Sequence, residues 1–381
     1  MAVPKLRFKE FDGGWTSKQL GKIIGISSAS RVFKEQWQDS GVPFFRTSDV
    51  VSIFKNKENE KAYISLELFE ELAKKSGKIK QGDLLVTGGG SIGIPYLVPN
   101  DQPLYFKDAD LLWMKSSGIV EGSFLYNFFI SPKFREYLKS ISHTGTISHF
   151  TIEQAKATPF GFPSKEEQTK IATFLSSVDE KISQLTQKHE LLSQYKQGMM
   201  QKLFSQQIRF KADDGSEFGE WESRSLGEVG ENIIGLTYSP TDVTNDGSGI
   251  LVLRSSNIKN GRLDKSDQVR VNKKIKDKII VQANDILICT RNGSQRLIGK
   301  SVIINDDEEM TFGAFMSVYR SEYNRFIAYL MQTPWFFEQV QMNLGARINQ
   351  ITTGTLNEFT FDFPCLEEQT KIANFLSAID Q

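Results

Sequence analysis

The chain offers little with which to build a metal centre or a redox site. Its 381 residues include two cysteines, Cys289 and Cys365, and three histidines. The cysteines belong to no CxxC pair and the histidines form no ligand cluster, so no metal site is expected and both thiols are expected to be reduced and structural. No stretch approaches the ~20 consecutive apolar residues of a membrane span. The opening MAVPKLRFKEF lacks the apolar core of a secretory signal, and a cytoplasmic location is expected. An excess of charge is missing too, since 46 basic residues balance 46 acidic ones. Any surface for a polyanion has to come from local clustering.

What the chain has is repetition. EEQTKIA occurs at Glu166–Ala172 and again at Glu367–Ala373. The match extends outward, PSKEEQTKIATFLSSVDE from Pro163 aligning with PCLEEQTKIANFLSAIDQ from Pro364, with twelve of eighteen positions identical. The offset, 364 − 163 = 201, is about one domain long, which implies tandem duplication of a domain with an appended helix. The register persists elsewhere. Arg-Phe-Lys recurs at Arg7 and Arg209, a Trp at Trp15 and Trp221, and Leu-Gly at Leu20 and Leu226. FRTSDV at Phe45 matches LRSSNI at Leu253, and GDLLVT at Gly82 parallels NDILICT at Asn284. Ser131-Pro132 and Thr333-Pro334 each read as an N-cap followed by Pro at the first helical position.

Each copy therefore reads as a mixed α/β (α+β) globule followed by a helix. The predicted organisation is a first domain over 1–162, a spacer helix over 163–205, a second domain over 206–363, and the start of a second spacer helix over 364–381. In the first spacer, Ile171, Leu175, Val178, Ile182, Leu185, His189, Leu192, Lys196, Met199 and Leu203 recur in alternating steps of four and three. That is a coiled-coil seam, on a helix of roughly 60 Å. The second spacer begins the same seam with Ile372, Leu376 and Ile379. The two helices are expected to pair antiparallel, relating the two globules by an approximate two-fold axis.

With two dissimilar globules, two similar helical spacers, FPxxEEQTKIAxFL opening each spacer, and MMQKLFSQQIRFK leading into the second globule, the chain resembles the specificity subunits of type I restriction-modification systems. The resemblance covers almost the whole length. It implies a non-catalytic subunit whose two target-recognition domains each read half of a bipartite, asymmetric site on double-stranded DNA, with the helices setting the distance between halves. It implies two methyltransferase (modification) subunits and a restriction/translocase subunit as partners. S-adenosylmethionine, ATP and Mg belong to those partners and no cofactor to this chain. A methyltransferase acting alone is disfavoured, because neither a nucleotide-cradling Gly loop on a strand-to-helix turn nor an Asn/Asp-Pro-Pro-aromatic tetrapeptide is present. The other reading is a non-catalytic coiled-coil scaffold with two protein-binding domains.

Candidate DNA contacts fall in three segments of each copy. Arg46, Thr47 and Ser48 in one, and Arg254, Ser255 and Asn257 in the other, follow a short apolar run. Arginine forks onto guanine, Asn onto adenine, and hydroxyls reach phosphate, although both arginines could equally tie down a carboxylate within the domain. The run Gly88–Gly93 satisfies GxGxxG, but Pro95 and Pro99 stand where a Rossmann helix would begin, so a hairpin loop is favoured. That loop offers Thr87 and Ser91, and its counterpart Thr290, Arg291, Asn292 and Ser294. The third pair of segments differs most between copies: Thr146, Ser148 and His149 in one, Arg347, Asn349 and Gln350 in the other. These are the favoured sequence readers. Finally, since the second seam has begun only as far as Gln381, its three residues are expected to cover Leu192 to Leu203. Ile171, Leu175, Val178 and Ile182 are then left for a methyltransferase subunit, or for self-association with a second copy of the chain.

Overall fold

The computed structural model describes residues 4, 6–116, 118–141, 149–344 and 349–380. The chain forms two compact units, Met1–Leu185 and Thr186–Gln381. Each unit holds one copy of the heptapeptide, and the division falls inside the first spacer helix.

In the first unit an antiparallel ribbon, Thr16–Gln19 with Pro159–Phe162, ties the start of the domain to its end. A four-stranded antiparallel sheet runs in the order Gly25–Ser27, Leu111–Lys115, Leu84–Thr87, Pro95–Leu97. A smaller sheet places Val42–Phe45 between Ala62–Ile64 and Tyr105–Phe106, the latter pairing parallel. The second unit repeats this plan. Glu222–Ser225 pairs with Thr360–Phe363, and a four-stranded sheet runs Glu231–Ile234, Met316–Arg320, Ile286–Cys289, Ser301–Ile303. In the smaller sheet Ile250–Leu253 pairs parallel with Met310–Phe312.

The central strands Leu84–Thr87 and Ile286–Cys289 are buried at every position. The apolar runs Leu84–Val86 and Ile286–Cys289 are required because both faces are covered: Leu84 and Val86 enter one core cluster while Leu85 enters another. Cys289 lies on the covered strand, and burial pushes its thiol up to about 11. A thiol reagent should therefore titrate one cysteine, the exposed Cys365, in the folded protein and two after denaturation. Two fast-reacting thiols in the native state would contradict this packing. The caps read from sequence are present: Ser131 accepts from the Phe134 amide at 3.3 Å and Thr333 from the Phe336 amide at 3.5 Å, each opening a nine-residue helix that begins at Pro132 or Pro334.

The repeated heptapeptide joins each helix to its own domain. The first spacer helix is Lys165–Phe204 and the second Leu366–Asp380. Glu167 and Glu368 are 1% and 0% exposed, and each carboxylate is gripped by an arginine from the start of its domain. Arg7 donates to Glu167 through Nε at 2.7 Å and a terminal nitrogen at 2.6 Å; Arg209 donates to Glu368 at 3.1 and 2.7 Å. The same guanidiniums reach the Gly13 and Gly219 carbonyls at 2.6 Å. Gln168 and Gln369 donate back to the Pro163 and Pro364 carbonyls at 3.0 and 2.8 Å, and Lys170 and Lys371 pair with Glu10 and Asp213. Two-pronged arginine–carboxylate bonds fix direction as well as distance, so each helix leaves its domain at a set angle.

The seam departs from the heptad expectation at both ends of the first helix. Ile171 and Leu175 are half-buried, with Ile171 packed on the core of the first domain, so of the four Val178 (40%) and Ile182 (56%) are the exposed ones. Leu185 and Leu192 are exposed as well. At the other end Met200 rather than Met199 is buried, in one cluster with Leu203, Ile372 and Leu376, and Ile379 packs against it. Lys196 pairs with Asp380 at 2.7 Å and Tyr195 meets Phe375, while Leu203 and Ile372 share a cluster. The order of these contacts makes the two helices antiparallel. The second helix also packs on Asn324–Leu330 of its own domain, where Arg325 bonds Asn374 and Tyr329 bonds Asp380. Lys196, on the predicted seam, holds Asp380 and lies 4.9 Å over the Tyr329 ring.

Candidate nucleic-acid interface

The three candidate segments, far apart in sequence, converge in each unit. In the first, the hairpin loop leaving Leu84–Thr87 meets the segment after residue 148: the Phe150 amide donates to the Gly88 carbonyl at 2.7 Å and Gly89 bridges His149. Thr47 reaches the same place, its hydroxyl 3.4 Å from the Asp110 carbonyl that also accepts from the Gly88 amide at 2.8 Å. In the second unit Arg291 bridges Gln350, the Ile351 amide donates to the Thr290 carbonyl at 2.9 Å, and Asn349 donates to the Gly293 carbonyl at 3.1 Å. Asn292 then ties in the third segment by donating to the Ser255 hydroxyl at 3.0 Å. Here the segments border a cleft of about 1250 Å³ lined by Tyr238, Arg254, Ser255, Asn292, Phe315 and Asn349, among others.

The glycine pattern is a hairpin device. Gly93 and Gly299, its last position in each copy, have φ of +72° and +81°. A Cβ there would meet Leu138 and Phe134 at 2.8 Å in one unit and Val340 at 3.0 Å in the other. Glycine thus permits the turn and the close approach of the helix that begins at Pro132 or Pro334.

Several predicted contacts are consumed inside the domains. Thr87 is buried, accepting from the Ile94 amide at 2.8 Å and donating to the Ser91 carbonyl, so it closes the hairpin and is unavailable to a ligand. Asn257 is buried too. It donates to the Asp264 and Asp267 carbonyls at 2.9 and 2.8 Å and accepts from the Arg254 amide, which corrects the expectation that it faces adenine. Thr290 is buried with its hydroxyl on the Phe315 carbonyl. Arg46 forks onto Asp49 at 2.9 and 3.2 Å, reaches the Glu60 carbonyl, and covers the Trp37 ring at 5.6 Å. Its bond to Asp49 holds the guanidinium above its ordinary value. The carboxylate-tying alternative describes Arg46.

Other side chains stay open. Ser48, Ser91 and His149 are exposed in the first unit, and Arg291 and Gln350 in the second; Thr47, Ser255, Ser294 and Asn349 are half-buried. Arg254 holds Asp267 at 2.6 Å but remains two-fifths exposed at the cleft wall. Asp267 is held below the usual carboxylate range, first by the Ser256 hydroxyl and then by Arg254. Thr146, Ser148 and Arg347 lie outside the described residues. One exposed group escaped the sequence reading: Phe315, whose neighbours Phe312 and Met316 are fully buried. An isolated phenylalanine in FGAFM reads as core, and only the turn that carries it shows otherwise. Among the described residues no group of acidic, histidine and cysteine side chains could hold a metal ion, and no helix is long and apolar enough to cross a membrane.

Known proteins share this plan. The type I restriction modification DNA specificity domain matches twice, over residues 12–194 and 219–381. The type I restriction enzyme EcoKI specificity subunit of Escherichia coli is 30% identical over 166 residues, 42% of this chain and 36% of that one. The MjaVIII specificity subunit of Methanocaldococcus jannaschii is 26% identical over 275 residues, 67% of this chain and 63% of that one. The chain thus spans about two-fifths of the length of the first curated relatives it matches. In three dimensions the S subunit of a type I restriction-modification system from M. genitalium superposes with a TM-score of 0.62 at 17% identity, covering 100% of this chain and 92% of that one. With both of its units matched, the chain belongs to the type I restriction modification DNA specificity domain family.

Proposed function

We propose that each unit reads one half of a bipartite, asymmetric site on double-stranded DNA at the place where its three segments meet. In this reading the chain is a cytoplasmic, non-catalytic specificity subunit. It directs adenine methylation and ATP-dependent restriction by two methyltransferase subunits and a restriction/translocase subunit, which hold S-adenosylmethionine, ATP and Mg. The observation that carries the reading is the repeated convergence with unlike open side chains: Ser91 and His149 in one unit, Arg291, Asn349 and Gln350 in the other. A duplicated frame approaches each half-site in the same way, and different hydrogen-bonding groups then select different bases. Net neutrality of the chain is compatible with this because partner subunits share the phosphate contacts.

Co-expression with the cognate modification subunit and genome-wide mapping of methylated adenines tests the reading. A split, asymmetric motif is the expected result, and a formed complex that modifies nothing would refute it. Within that motif, Arg291→Ala should relax one half-site and weaken binding by about 5- to 150-fold, the range for a lost bidentate base contact. His149→Ala should alter only the other half. Changes in both halves from either variant would end the independent-reader reading.

A further inference from the structure

Phe315 is 58% exposed, on a turn that is anything but loose. The Gly313 amide donates to the Leu253 carbonyl at 3.0 Å, the Ala314 amide to Leu236 at 2.9 Å, and the Met316 amide to Gly313 at 2.8 Å. The carbonyl of Phe315 itself accepts from the amides of Thr290 and Arg291, at 3.1 and 3.0 Å, and from the Thr290 hydroxyl at 3.1 Å. A large ring is therefore presented to the cleft by a fixed backbone. The guanidinium of Arg291 lies 4.9 Å from its centroid. One face of the ring is covered by that cation, so the ring cannot slide between base pairs, and its edge remains for contact.

Arg254, Ser255, Asn292 and Asn349 line the same cleft, together with apolar Leu236, Tyr238 and Val243. An apolar edge among hydrogen-bonding groups and a cation fits the floor of the DNA major groove, where a thymine methyl adjoins donors and acceptors. The first unit differs at this point. Its structural equivalent of Phe315 is Asp110, whose carbonyl takes the matching bond from the Gly88 amide and whose carboxylate pairs with Lys107 at 2.6 Å. A group that discriminates bases should differ between two readers of unlike half-sites, and this one does.

We propose that Phe315 is the apolar base contact of the second unit, taking the C5-methyl of a thymine while Arg291, stacked on its ring, donates to an adjacent guanine. The inference rests on the DNA reading above. Its test replaces each thymine of the mapped half-site, one at a time, by deoxyuridine, which deletes only the methyl. Binding is measured on the complex with its methyltransferase. The unsubstituted complex should lose about three- to tenfold at one position, the scale of a single methyl contact, and Phe315→Ala should show no loss there. Phe315→Leu, which keeps an apolar tip, should retain part of it. A half-site without thymine, indifference to every uracil, or an unchanged penalty in Phe315→Ala would overturn the inference while leaving specific binding intact. Absence of any sequence-specific binding would overturn the DNA reading and this inference together.

Discussion

Arg209→Ala should destabilise the second unit by about 3 kcal/mol, the lower end of the cost of breaking a buried ion pair, because Arg209 is about one-fifth exposed. The measurement is chemical denaturation followed on the second unit, read as a lower midpoint at unchanged slope. Glu368 is the reason for the size of the effect. With its side chain fully buried, among the described residues it would keep the Trp221 indole, at 3.1 Å, as its one side-chain donor. Adding Glu368→Gln to Arg209→Ala should restore most of the loss, since a neutral amide removes the stranded charge. If Arg209→Ala left the midpoint where it was, the pair would be a passive surface contact and the account of the heptapeptide would fail. The same lock operates in the first unit through Arg7 and Glu167. The motif is thus kept in both copies for an internal mechanical reason, whatever partner the outer face of the helix meets.

The duplication is legible in the sequence because seven mixed residues rarely recur in identical order by chance. The purpose of the repeated letters is not. Glu and Gln at the start of a helix read as solvated groups favouring the first turn, and their burial depends on arginines 160 and 159 residues away. The signal is nonetheless present, since Arg-Phe-Lys recurs with the heptapeptide at nearly constant separation. Among the candidate readers the failures share one cause. Thr87 and Asn257 are polar residues beside turns, and such residues are as often spent closing the turn as left open; composition alone cannot separate the two. Phe315 fails in the opposite sense, an apolar letter displayed by the topology. The seam predicts the direction of pairing correctly but slips by one residue at Met199, where the helix end packs on a globular core instead of following a heptad partner.

Val178→Asp should leave the isolated chain as stable as before while weakening its assembly with the methyltransferase by about 10- to 100-fold, the range corresponding to loss of one buried aliphatic side chain. The first half of the expectation follows from position: Val178 is 40% exposed and lies outside the buried core of the first unit. The second does so too. The exposed stretch lies beyond the turns locked to the first domain through Arg7 and before the turns covered by the second spacer helix from Tyr195 onward. Val178 and Leu185 lie seven residues apart and are exposed, so they share one side of the helix at heptad spacing and suit a helical partner. Titrating the methyltransferase onto each form under light scattering separates the outcomes. Equal affinities would show that the subunit docks elsewhere. Self-association of the unsubstituted chain that Val178→Asp abolishes would assign the stripe to a second copy of this chain.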